Sequence, residues 1–106
     1  AIFALSDLLA VGAMCAVEQA GLLVPHEIAV VGFNDIPLAA LVNPPLTTVA
    51  ALACQMGQEA MKMLQSLIAG KRPAHRKITL PTSLVIRQSC GAHDQHNPCW
   101  EIRRLV

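Results

Sequence analysis

Charge is scarce in this sequence. Only 14% of its residues are charged, against 54% hydrophobic, and that is about half the usual charged share. So little polar surface coats a free-standing globule poorly, which points to partners that cover the remainder. The net charge of +1 leaves no electrostatic footprint for nucleic acid within these residues, and no run of Lys or Arg exceeds two. Long apolar runs are missing as well, none reaching the roughly eighteen residues that a spanning helix needs, so no membrane partner is expected. Internal repeats and low-complexity tracts are absent. So are a P-loop, a GxGxxG, an HExxH and any nucleophile–base pair, so neither an enzyme nor a cofactor is expected. Four cysteines, Cys15, Cys54, Cys90 and Cys99, lie far apart. Two fall inside predicted helices, which suits buried thiols in a reducing cytoplasm better than a disulfide framework.

The stretch from Ile28 to Thr48 organises the rest. It opens with Ile28-Ala29-Val30-Val31, an unbroken β-branched run too short for a helix, the pattern of a strand buried on both faces of a parallel sheet. That run ends in Gly32-Phe33-Asn34-Asp35. Ligands of open α/β sheets bind beyond the carboxyl ends of the strands, so the ring of Phe33, the amide of Asn34 and the carboxylate of Asp35 read as parts of a site. Pro37 stops regular pairing, and a second strand over 46–49 follows only after Asn43-Pro44-Pro45, because neither proline can donate to a ladder.

Taken in order, residues 1–5 form a short apolar strand that runs directly into Ser6-Asp7. Serine is a preferred N-cap and aspartate in the first turn suits the positive end of a helix dipole, so a helix follows from Leu8 until Gly21. That helix is apolar nearly all round, through Leu8, Leu9, Val11, Met14, Cys15 and Val17, and needs cover on two sides. Residues 53–69 read as an amphipathic helix with Met56, Ala60, Met63, Leu64 and Leu67 on one face, closed by Gly70. Ile78, Leu80, Leu84 and Ile86 then predict two short strands interrupted at Pro81. The opening directly in an apolar run, with no initiator methionine or cap, reads as a chain that starts inside a strand, and hence as a fragment.

Two constellations could carry chemistry. Asp7 and Asp35 end two strands on one sheet edge and could act as acid and base or hold a divalent cation. As a first-turn helix residue and a turn former they need no such role. Cys90, His93, His96 and Cys99 form a C-x2-H-x2-H-x2-C run with zinc-type ligands. Structural zinc sites draw on two separated pairs, and this run lies in a polar tail, so no metal is expected.

Several segments together resemble a known family. Ser6-Asp7 with Leu8-Leu9-Ala10-Val11-Gly12-Ala13-Met14, Ala20-Gly21-Leu22 with Val24-Pro25, and Ile28-Ala29-Val30-Val31-Gly32-Phe33-Asn34-Asp35 open the series. Pro44-Pro45-Leu46-Thr47-Thr48-Val49, Met56-Gly57, Leu80-Pro81-Thr82 and Leu84-Val85-Ile86-Arg87 complete it. In that order, up to about Ser89, they look like the carboxy-terminal part of a LacI/GalR (lactose/galactose-repressor) transcriptional regulator. The resemblance implies an α/β, periplasmic-binding-protein-like (type I) parallel-sheet fold of which this chain is an incomplete fragment, the late part of a two-subdomain core. Residues 1–89 would be the carboxy-terminal portion of the effector domain and 90–106 a disordered tail, with the DNA-reading helix-turn-helix absent. The segment to Val42 would belong to one subdomain, residues 46–48 would cross to the other, and the last strands would return.

The resemblance places effector contacts on Ser6 and Asn34, with Asp7, Phe33 and Asp35 beside them. Asn34 stands where members often carry Asp, and an uncharged amide suits a hydroxyl-rich neutral or acidic ligand. Ala51 and Ala53 match positions that bear ligand-touching side chains in some members. Val11 and Val42 are the expected dimer-interface positions, so the implied partners are a sugar or sugar-acid effector, a second copy, and operator DNA through the missing headpiece. The competing expectations are a periplasmic sugar-binding protein of a transporter and a truncated piece with no function of its own.

Overall fold

The computed structural model describes residues 1–72 and 77–92. The chain divides into two units. The first holds Ala1–Ala50 together with the chain from Ser83 on, and the second is Ala51–Thr82.

The first unit is a four-stranded sheet in the order of the chain: β1 (Ile2–Phe3), β2 (Val30–Phe33), β3 (Thr47–Ala50) and β4 (Ser83–Val85). The first three are parallel, with Ile2 opposite Val30, Val31 opposite Thr47 and Phe33 opposite Val49. The parallel sheet takes one antiparallel strand at its edge. β4 runs antiparallel to β3, pairing Thr48 with Val85 and Ala50 with Ser83.

Helix α1 (Asp7–Gln19) connects β1 to β2. It starts where the sequence places it, with Ser6 as N-cap accepting from Leu9 N at 3.3 Å. It ends before Gly21, whose φ of 75° lies in the left-handed region that glycine enters without penalty. Its buried residues are Asp7, Ala10, Met14 and Val17. This 3–4 spacing lays one stripe on the sheet, where Ala10 and Met14 meet Val30, Leu46 and Ala39 in the core. Burial of Met14, Val30 and Leu46 is worth about 1.5–3 kcal/mol apiece. The other side of α1 stays open: Leu8, Leu9 and Cys15 are exposed.

Between β2 and β3 the chain makes a short 3-10 turn, Pro37–Ala40. Leu46 N bonds Ala39 O there at 2.8 Å, so Leu46 serves that turn and β3 begins one residue later than expected. β2 is displaced the same way, spanning Val30–Phe33 where the apolar run Ile28–Val31 was expected to pair. Gly32 and Phe33 continue the ladder, and Asn34 N still donates to Val49 O at 2.9 Å.

Ser89, which the sequence reading passed over, fastens β2 and β3 together from inside. Fully buried, its Oγ accepts from Thr47 N at 2.8 Å and donates to Val30 O at 2.6 Å, while its carbonyl accepts from Val30 N at 2.8 Å. The ordered turn continues past residue 89, with Gly91 buried and its N–H on Gln88 O at 3.1 Å, so the expected tail does not begin at residue 90.

The second unit contains α2 (Ala53–Ile68). Its apolar stripe forms as the spacing predicts, yet no residue of the helix is buried, and Met56, Leu64 and Leu67 are about half exposed. Of the two strands expected after it, the one around Ile78 and Leu80 does not form. No described strand pairs with that segment, and an unpaired strand leaves its backbone groups unsatisfied. The reading of buried thiols is also corrected, since Cys15 and Cys54 are exposed free cysteines and Cys90 is half-buried.

Candidate functional site

The carboxyl ends of β1 and β2 lie side by side because the strands are parallel and neighbouring, and this brings Ser6 to the same sheet edge as Phe33, Asn34 and Asp35. Ser6 Oγ accepts from the first turn of α1, which leaves its own O–H as a donor. Phe33 is half-buried and Asn34 exposed. The backbone bends sharply here: Asn34 has φ 108° and Asp35 has φ 54°. Left-handed conformations are uncommon outside glycine, and Asn and Asp are the side chains that best tolerate them.

Asp7 shares the address and has a different job. It is only 1% exposed, and both its oxygens are engaged within the fold. Oδ1 accepts from the Thr48 hydroxyl, and Oδ2 accepts from Ile36 N at 2.8 Å. The expectation that Asp7 touches an effector is therefore revised. It clamps the head of α1 to β3 and to the turn after β2, and a buried carboxylate so bonded is not free for a ligand. The clamp explains the glycine of the Gly-Phe pair. A Cβ on Gly32 would run into Asp7 Oδ1 and approach Leu46 Cδ2 to 3.0 Å and Ala10 Cβ to 3.3 Å.

Asp35 is half-buried. Its N–H reaches Thr48 Oγ1 at a long 3.4 Å, and its Oδ1 lies 2.8 Å from Arg87 Nη2. That contact is a charge pair and not an aligned hydrogen bond, since no donor points at the enclosed Oδ1 with bonding geometry. Arg87 itself is well held, with Nη1 on Leu46 O at 2.9 Å and its backbone N–H on Thr47 Oγ1 at 2.8 Å. Neither Thr48 nor Arg87 was singled out for this edge by sequence reasoning. Only the pairing of distant strands brings them to it.

Ala51 and Ala53 belong to the second unit, around the start of α2. Val11 and Val42, both half-buried, line one groove of about 390 Å³ with Met14, Cys15, Val24 and Pro44. In the zinc-type run, Cys90 Sγ sits 3.7 Å from Arg87 O, while His93, His96 and Cys99 lie outside the described residues. No helix among the described residues is long and apolar enough to cross a membrane.

Residues 1–90 match the family model of the periplasmic binding protein-like domain. The HTH-type transcriptional repressor MelR of Bacillus subtilis is 45% identical over 92 residues, covering 86% of this chain and 26% of MelR. The lactose operon repressor of Rhizobium radiobacter is 40% identical over 89 residues, covering 84% of this chain and 78% of that protein. Among solved structures, a complex of the transcriptional regulator CelR with cellobiose is 34% identical with a TM-score of 0.77, over 82% of this chain and 27% of that one. The Lac repressor bound to ONPG is also 34% identical, with a TM-score of 0.75, over 82% of this chain and 26% of that one. The chain thus spans about a quarter of the length of MelR and of both solved regulators. On its sheet, its sequence and the span of the match, the chain belongs to the LacI/GalR family of transcription regulators, within their periplasmic-binding-protein-like domain.

Proposed function

We propose that this chain is the carboxy-terminal part of the effector-binding domain of a sugar-responsive regulator, and that it binds a neutral or acidic sugar without chemical change. Asn34 carries the reading. It is an exposed amide, able to donate and accept, at the carboxyl end of β2 with its backbone fixed by Val49 O. Ser6 adds a hydroxyl donor, Phe33 an apolar ring for a sugar face, and Asp35 a carboxylate that can accept from sugar hydroxyls. Two related structures named as sugar complexes, CelR with cellobiose and an Arthrobacter LacI-family regulator with lactose, support a sugar as the ligand class. The groove holding Val11 and Val42 is the proposed face for a second copy. Ligand would favour one closure of the complete domain, and the dimer would pass that preference to a DNA-reading headpiece.

Calorimetric titration with cellobiose, lactose, glucose and gluconate tests the reading, with Asn34→Gly as the probe. Glycine keeps the left-handed backbone and removes only the amide, so melting temperature should hold while affinity falls about tenfold or more. Binding undiminished in Asn34→Gly, or no binding of any of these sugars by the parent chain, would remove the reading. Sedimentation velocity addresses the second copy, since Val42→Glu should shift a dimer to monomer.

A further inference from the structure

Asn34 and Asp35 are non-glycine residues in consecutive left-handed conformations, which persist only where surrounding contacts over-determine them. One set of contacts is the clamp of Asp7, which takes Ile36 N and, through the Thr48 hydroxyl, stands next to Asp35 N. It fixes the far side of the bend and leaves the Asp35 side chain to be held by something else. That partner is Arg87, on the segment after β4, anchored by Leu46 O and Thr47 Oγ1 before it reaches Asp35. Leu46 is fully buried, so its carbonyl is a fixed post.

We propose that Arg87 is a positioning residue for the effector site. By holding Asp35 Oδ1 from a guanidinium tethered to Leu46 O, it sets the direction in which Asn34 presents its amide. The inference rests on the sugar-binding reading for its purpose, but its geometry does not depend on it. Arginine suits the task because two of its nitrogens are used at once in a rigid plane, Nη1 on the carbonyl and Nη2 on the carboxylate, which one ammonium cannot reproduce. The pair lies at the rim of the sheet edge, with 20% and 25% of the two side chains exposed, so its loss is felt first in the bend that it holds. Arg87 should therefore matter locally.

Residue-resolved amide hydrogen exchange on the 106-residue chain, with Arg87→Met and Arg87→Lys beside the parent, tests this. Arg87→Met should speed exchange at Asn34, Asp35 and Ile36 about tenfold, a change equivalent to one charge-assisted contact. Amides of Ala4 and Val30 should stay within the parent range, and Arg87→Lys should fall in between. Cellobiose affinity, followed on the same samples, should fall in the same order. Exchange at residues 34–36 that is unchanged, or that rises equally at Ala4 and Val30, would overturn the proposal and leave Arg87 a structural residue. If the local exchange follows the expected order and neither cellobiose, lactose nor gluconate binds the parent chain, Arg87 keeps its positioning role and the sugar reading alone falls.

Discussion

Removing the Thr48 hydroxyl would leave Asp7 Oδ1 buried without its donor. Thr48→Val should cost about 1.5–3 kcal/mol, the range for a lost bond to a charged group, read as a lower urea midpoint at unchanged slope. Gly32→Ala attacks the same clamp from the other side, by pressing a methyl into Asp7 and Leu46. It should cost about 1–3 kcal/mol or more. If Gly32→Ala melts like the parent, the close approach of Asp7 is wrong. Asp7 also marks a limit of sequence reading. Its place after a strand and beside a serine fits a ligand contact equally well. What assigns it to the interior is a hydroxyl 41 residues away, which no local pattern displays.

The two long helices make opposite demands on their apolar residues. Leu46 beneath α1 is fully buried, so Leu46→Ala should destabilise by about 2.7–5 kcal/mol. Leu64 on α2 is 49% exposed, and Leu64→Gln should stay within about 0.5 kcal/mol. Chemical denaturation of both variants checks the contrast, which would fail if Leu64→Gln cost as much as Leu46→Ala. Both helices were legible from caps and spacing, because Ser6 satisfies an N-terminal amide and the 3–4 apolar repeat is local. Strand limits were less so. Gly32 read as a terminator, yet it is a ladder residue kept small for Asp7, and Leu46 read as strand although its N–H serves the 3-10 turn. The apolar pattern at Ile78 and Leu80 promised a strand, but pairing needs a neighbour as well as a pattern. At the candidate site, Ser6, Phe33, Asn34 and Asp35 could be named from the sequence. Thr48, Arg87 and the fastening by Ser89 could not, since each reaches its partners through strand pairing.

Across the whole molecule, the chain leaves the first unit and returns to it at a single place on the sheet. β3 ends at Ala50 and β4 begins at Ser83, and these two residues are register partners on adjacent antiparallel strands. The entire second unit, Ala51–Thr82, leaves from one member of that pair and returns to the other. In topological language it is an insertion into a β-hairpin, with the ends already at turn distance. Replacing Ala51–Thr82 by Asn-Gly should close β3 and β4 through a two-residue turn, and the shorter loop should lower the entropy cost of pairing them. The shortened chain should melt cooperatively and keep the Thr47–Ser89 and Val30–Ser89 bonds, visible as slow amide exchange at Thr47 and Val30. Loss of cooperative melting would mean that the sheet requires the second unit to fold. Retention would make the sheet, with its Asn34 edge, a minimal module into which second units of other sequence could be spliced.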